Sequence, residues 1–188
     1  MRLIPLTLPL AFLACARIAP TPRADANAAA PAEYFPLAVG NTWVFLDRST
    51  QKEAHHTVRI VRRDEDGYFV DDQHGALRAD ADCLHDRRRN LLCRPIAKGT
   101  TWSSVVSPSA TERYEIAGVN ETVTVPAGTF HGCVRVRSQL HAGGVEQVAE
   151  LTYAPSVGPV RVETFVVVDA VPKRQITGEL ESYRIGGR

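Results

Sequence analysis

Apolar and polar residues alternate in short stretches along most of the chain. In residues 133–137 the valines occupy one set of alternate positions and the arginines the other, a pattern typical of a strand with one face against a core. Turn-forming residues at 64–67 and 142–144 separate neighbouring stretches. The predicted strands cover residues 42–46, 57–61, 68–70, 101–106, 113–116, 121–125, 133–140, 145–153, 160–168 and 175–185, with a further pair around 83 and 93.

This spacing predicts a single all-β domain of about ten to twelve short antiparallel strands. A meander curled into an open or closed barrel is the expected architecture, and a β-sandwich is the alternative. The composition agrees with this prediction, because the 188 residues are 44% hydrophobic and 23% charged, which is ordinary for a globular protein. No helix and no internal repeat of fixed period is predicted.

Residues 1–14 have the organisation of a signal peptide. Arg2 is followed by an apolar stretch over residues 3–13, which is too short to cross a hydrocarbon core about 30 Å thick as a helix. The sequence then reads F-L-A-C at 12–15, which resembles a lipobox and predicts that Cys15 receives the lipid. The alternative is ordinary secretion, with cleavage after Ala14 or Ala16 and no role for Cys15.

Residues 15–32 are predicted to be the lipidated cysteine and a flexible tether, ahead of a β domain over residues 33–188. The segment is rich in alanine and proline and poor in large apolar residues, so it buries too little surface to order itself. Ala16 rather than an aspartate follows Cys15, which, by resemblance to the enterobacterial sorting rule, favours the outer membrane. The sequence therefore predicts an exported protein held at a bacterial membrane by its N-terminal lipid.

The charge balance argues against nucleic acid as a partner. The chain has 22 basic and 21 acidic residues, a formal net charge of +1. Removal of Arg2 with the signal peptide would leave equal numbers of the two. A neutral domain lacks the field that draws in nucleic acid.

The cysteines support export. Cys83 and Cys93 bracket a polar turn between apolar flanks, and two strands joined by that turn would bring the thiols within disulfide reach. A disulfide is expected in an oxidising compartment. Cys133 then remains as a free thiol, which is expected to be buried and inert. The alternative is a reactive thiol, because His131, Arg135 and Arg137 follow the same alternation as Cys133.

Three segments look like signatures: Y-F-P-L-A-V-G-N-T-W at 34–43, V-T-V-P-A-G-T-F at 123–130 and Y-A-P-S-V-G-P-V at 153–160. In this order they resemble a family of uncharacterised secreted and lipid-anchored bacterial proteins with P-L-x-x-G-N-x-W, V-P-A-G-T-F and Y-A-P-x-V-G-x-V motifs. The resemblance implies an exported β-rich domain and transfers no activity. Physically, the segments contain turn formers beside a bulky core anchor, Trp43, so we expect folding determinants rather than a ligand site.

Candidate catalytic and metal-binding residues are sparse. Asp82, Cys83, His85 and Cys93 have ligand chemistry that suits zinc, but their spacing is not a common one and the disulfide is favoured. His55 and His56 are adjacent, so on a strand they point to opposite faces and cannot easily hold one ion together. Hydrolase, metalloprotease and phosphate-loop signatures are missing. No catalytic residue, metal or cofactor is therefore assigned.

Three functional hypotheses remain. The leading one is a non-enzymatic binding or assembly domain in the envelope, with an apolar ligand or an envelope protein as partner. The second is an enzyme whose residues are scattered in sequence, which requires several of His85, His131, His141 and Cys133 to converge in a cleft. The third is a purely structural envelope protein without a pocket. Residues 87–89, all arginine, could touch lipid headgroups, although a solvated hairpin tip is the ordinary explanation.

Overall fold

The computed structural model describes residues 29–49 and 52–186. These residues form twelve β-strands and one turn of 3₁₀-helix over Pro31–Glu33. The strands are β1 Thr42–Ser49, β2 Glu53–Arg63, β3 Phe69–Asp71, β4 Ala76–Ala79, β5 Cys83–His85, β6 Asn90–Cys93, β7 Thr101–Ser107, β8 Ala110–Val125, β9 Gly128–Ala142, β10 Val145–Ala154, β11 Gly158–Val168 and β12 Val171–Arg184. The predicted signal peptide, Cys15 and most of the predicted tether lie outside the described residues.

The strands form one antiparallel sheet that curls into a nearly closed barrel. Each strand pairs with the next along the chain, except that β6 and β7 are separated and the last strand, β12, pairs with the first, β1. The two edges of the sheet are therefore β6 and β7, in the middle of the chain. The predicted all-β, barrel-like meander is confirmed, and the alternative of two packed sheets is not adopted.

The barrel has a long half and a short half. Strands β8 to β12 contain 10 to 16 residues each, whereas β3 to β6 contain three or four. The hairpins β7–β8, β9–β10 and β11–β12 therefore extend well beyond the short strands at one end, which we call the mouth. The opposite end, where residues 29–41 enter and the β8–β9 and β10–β11 turns lie, we call the closed end.

The hydrophobic core fills the closed end. Burial of large apolar side chains is the main favourable term in folding, and the side chains of Trp43, Ile116, Tyr153 and Leu180 are at most 1% exposed. Pro31, which the sequence places in the tether, is also buried here. Packing of the domain thus already involves residues ahead of Glu33.

A disulfide joins the two short strands β5 and β6. Cys83 and Cys93 are direct partners across these strands, with their Cα atoms 4.2 Å apart and their sulfurs bonded. The structure thus contains the disulfide that the sequence predicts. Two strands this short offer few backbone hydrogen bonds, so the covalent link helps to hold this half of the sheet together.

Candidate functional site

The first and third sequence motifs meet at the closed end. The Trp43 indole N–H donates a hydrogen bond to the Val157 carbonyl at 2.8 Å. The Phe35 ring packs edge-on against Trp43, with ring centroids 5.1 Å apart, and lies 6.4 Å from the Tyr153 ring. The Ser156 backbone N–H also donates to the Glu33 carbonyl. The segment before β1 thus closes this end of the barrel by packing against the β10–β11 turn.

The second motif is attached to the same end through backbone hydrogen bonds. Ala127, in the β8–β9 turn, donates its N–H to the Leu180 carbonyl at 2.9 Å. The Arg161 guanidinium donates to the Thr124 carbonyl at 2.8 Å. All three motifs therefore build the closed end, and their residues are accounted for by packing and hydrogen bonding within the fold.

Side chains bridge the gap between the edge strands β6 and β7. The Asn90 backbone N–H donates to Ser104 Oγ at 2.9 Å, and the Trp102 indole N–H donates to the Asn90 carbonyl at 2.6 Å. Further toward the mouth, the Arg89 guanidinium lies 4.0 Å from the buried carboxylate of Glu112. This seam brings polar and ionisable groups to the inner surface of the barrel.

Tyr114 lies beside this seam with an unusual environment. Its ring stacks on that of Trp102, with an interplanar angle of 5° and centroids 5.4 Å apart. The phenol is buried close to the Glu112 carboxylate. Burial, reinforced by the nearby Glu112 carboxylate, raises the pKa of Tyr114 well above its ordinary value. This tyrosine therefore stays neutral at any physiological pH.

Apolar side chains continue along the inner surface of the long hairpins toward the mouth. On β9 and β10, the buried Val136 and its partly buried partner Leu151 set the inward face, and alternation places Leu140 and Val145 on it. The same alternation on β11 and β12 gives a group of inward-facing residues at the mouth, which are Val166, Val168, Val171 and Ile176. Val145, Val168, Val171 and Ile176 are 40%, 41%, 56% and 44% exposed. These side chains point inward, but no strand lies opposite to cover them.

A cavity of about 530 Å³ opens at the mouth, between the short strands and the long hairpins. Its apolar wall is formed by Leu77, Leu91, Val106 and Leu140. The β5–β6 turn over residues 86–89 and the Glu112 carboxylate provide its charged wall. Apolar and charged residues share the lining, and its volume lies in the range of small-molecule sites. We call this feature the mouth cavity.

The histidines and cysteine of the enzyme hypothesis do not converge. His131, Cys133 and His141 all lie on β9, where the rise per residue of about 3.3 Å puts His141 more than about 25 Å from Cys133. His131 hydrogen-bonds the Thr122 hydroxyl at 3.0 Å, and His85 lies on β5, 3.3 Å from the Asp80 carboxylate. The cleft that this hypothesis requires is thus not formed by these residues.

Cys133 is fully buried. Burial raises the pKa of its thiol, and the Glu121 carboxylate adds to the effect. The arginines that share its alternation do not activate it, because Arg135 is engaged by the carboxylates of Glu121 and Glu150 at 3.1 and 3.0 Å. The thiol therefore has the environment of an inert core residue.

The two adjacent histidines point to opposite faces, as predicted. His55 Nδ1 lies 2.9 Å from the Glu181 carboxylate, and His56 Nδ1 lies 2.5 Å from that of Asp47. Across residues 29–49 and 52–186, no group of three or more His, Cys, Asp or Glu side chains is placed to hold a metal ion. Within the same ranges, no helix is long and apolar enough to cross a membrane.

Comparisons with known proteins give structural similarity only. No protein-family model matches the chain, and no curated protein matches it. A Bacteroides fragilis protein, described as exported and as having a YmcC-like fold, is 15% identical with a TM-score of 0.48, over 80% of this chain and 98% of that one. A lipoprotein from Parabacteroides distasonis, so described, is 14% identical with a TM-score of 0.44, over the same shares of the two chains.

Proposed function

We infer that the protein is an exported, lipid-anchored envelope protein whose β domain binds an apolar ligand in the mouth cavity. The single observation that carries the binding function is the mouth cavity itself. Leu77, Leu91, Val106 and Leu140 form an apolar wall there, and burial of such surface by a ligand is favourable. Lipid attachment at Cys15 and residence at the outer membrane rest on the N-terminal sequence.

The geometry of the domain is compatible with this anchoring. Residues 29–33 pack at the closed end, where the Glu33 carbonyl accepts a hydrogen bond from Ser156. A tether from Cys15 therefore joins the barrel at the end opposite the mouth. An anchored domain of this kind keeps its cavity directed away from the point of attachment, accessible to a ligand.

Lipidation is tested by replacing the acceptor cysteine. The Cys15→Ser protein should appear in the soluble periplasmic fraction, because it lacks the thiol that forms a thioether with the lipid. The wild-type protein should stay with the membrane. The matched control is Cys133→Ser, which removes a thiol inside the domain and should leave the protein in the membrane fraction. Continued membrane association of the Cys15→Ser protein would refute lipidation at this residue.

Ligand binding is tested on the same soluble protein. Native mass spectrometry of Cys15→Ser, purified without detergent, should reveal a co-purifying apolar molecule. Adding Leu140→Arg, which places a charge on the apolar wall of the mouth cavity, should remove the adduct without unfolding the domain, since Leu140 is only partly buried. A bare mass in both proteins would refute the binding function and favour a protein partner, to be sought by pull-down from envelope extracts.

A further inference from the structure

Three consecutive arginines, Arg87, Arg88 and Arg89, lie in the β5–β6 turn at the edge of the mouth cavity. Two of them are committed to partners within the domain. The Arg87 guanidinium pairs with the Asp64 carboxylate and lies 4.6 Å above the centre of the Tyr68 ring. The Arg89 guanidinium lies 2.7 Å from the Asp86 carboxylate. Neither of these charges is left for a ligand.

Arg88 differs from its neighbours. Its guanidinium has no ion pair or hydrogen bond to the rest of the described chain, and the residue is exposed. Its backbone, in contrast, is fixed: Asp86 Oδ1 accepts the N–H groups of Arg88 and Arg89, both at 2.7 Å. The turn therefore places an arginine without an ion-pair partner in the described chain at the rim of the mouth cavity.

The acidic groups that line the cavity, Asp71, Asp86 and Glu112, are engaged by other groups of the domain. The Glu112 carboxylate lies 4.0 Å from the Arg89 guanidinium. Asp86 is occupied by Arg89 and by the turn backbone. Asp71 Oδ1 accepts the N–H groups of Gln73 and Gly75, both at 2.8 Å. None of these carboxylates pairs with Arg88, so an anionic group on a ligand is the complementary partner for its guanidinium.

Resting on the apolar-ligand function proposed above, we propose that the mouth cavity binds a single-chain amphiphile with an acidic headgroup. The headgroup pairs with the Arg88 guanidinium, and the alkyl chain lies against Leu91, Val106 and Leu140. The volume of about 530 Å³ suits one alkyl chain better than the two chains and glycerol of a phospholipid. An arginine fork also matches a carboxylate geometrically.

The test is photolabelling of the full chain in membrane vesicles. The probe is a long-chain carboxylic acid that carries a diazirine on its alkyl chain, and the comparison probe is the corresponding alcohol. We expect the acid to label the peptides that contain Leu91, Val106 and Leu140, with about five-fold lower yield from the alcohol. Arg88→Gln should lower labelling by the acid to the level of the alcohol, and Arg88→Lys should restore part of it.

Arg94→Gln is the matched control, because Arg94 is an exposed arginine without a side-chain partner in the described chain, in the loop after β6. It should leave labelling unchanged. Equal mouth labelling by acid and alcohol, insensitive to Arg88→Gln, would overturn the acidic headgroup and leave apolar binding intact. Displacement of the acid probe by a two-chain phospholipid but not by unlabelled acid would overturn the proposal that the ligand has a single alkyl chain. Mouth labelling by none of the probes would overturn the proposed function itself.

Discussion

Replacement of Gly158 by alanine is expected to destabilise the closed end through a specific clash with Trp43. Gly158 has φ +113°, and a Cβ atom there would lie 3.0 Å from Trp43 Nε1 and 3.4 Å from Cε2. The indole has little room to retreat, because it is 1% exposed, donates its N–H to the Val157 carbonyl and packs against Phe35. The substitution therefore strains both the backbone and the core.

The expected magnitude combines two contributions. An alanine held in a backbone region that essentially only glycine occupies costs about 1–3 kcal/mol. Forcing an added methyl group against a buried side chain costs about 1–3 kcal/mol more. We therefore expect Gly158→Ala to lower the free energy of unfolding by about 2–6 kcal/mol, which for a domain of this size lowers the melting temperature by several degrees or more.

Gly128→Ala separates the two contributions. Gly128 has φ +134°, but a Cβ atom there would meet no heavy atom within 4 Å. It should suffer the backbone strain alone, and any effect of alanine on the unfolded chain is common to both variants. Urea unfolding followed by tryptophan fluorescence and circular dichroism gives the two free energies. If Gly158→Ala loses no more stability than Gly128→Ala, the close contact with Trp43 contributes nothing and the reasoning fails.

Three further predictions concern the cysteines and acid stability. Replacing Cys83 and Cys93 together by alanine should lower the free energy of unfolding by about 2–3 kcal/mol, from loss of a short covalent loop; urea midpoints unchanged by this double substitution or by reductant would contradict it. Cys133 should react with a thiol reagent only after denaturation, because it is fully buried, and stoichiometric labelling of the native domain would refute this. Backbone N–H groups of Cys83 and Asp82 lower the pKa of Asp80, so its contribution is present above pH about 3.9 and is lost as the pH falls through the lowered native pKa. Asp80→Asn should flatten that part of the urea midpoint against pH, and an identical acid dependence would exclude this contribution.

Local pattern was sufficient to predict most of the strands because each of them has one face against the core. It missed strand β4, and it divided the continuous strand β8 into two predicted strands, 113–116 and 121–125. Residues 117–120, between the two predicted strands, belong to β8. The strand continues through them with register shifts against β9 and a positive φ at Asn120. Position 118 requires glycine because a Cβ atom there would overlap the Glu121 carboxylate, which pairs with Arg135. The partner that holds the Glu121 carboxylate in place lies on β9, so the local sequence does not show this reason.

The disulfide was predictable for the same local reason, since Cys83 and Cys93 belong to one hairpin and a turn fixes their register. The seam was not. Asn90, Trp102 and Ser104 come from strands joined by a long loop, and their hydrogen bonds depend on how far the sheet curls. The glutamate at 112 likewise looks like an exposed strand residue in sequence, and only closure of the barrel buries it beside Tyr114.

The uncovered apolar surface of the long hairpins could not be predicted from sequence, for a physical reason that also explains why it exists. Val145, Val168 and Val171 occupy inward positions with the same alternation as the buried Val134 and Val136, so a pattern alone assigns all of them to the core. What separates the two groups is the length of the opposing strands: β3 to β6 contain three or four residues each and cover the inner face only near the closed end. Unequal strand lengths thus leave apolar surface uncovered, which a folded domain tolerates only at a cost unless a ligand covers it. The uncovered surface results from the difference between the two halves of one sheet, rather than from any single residue.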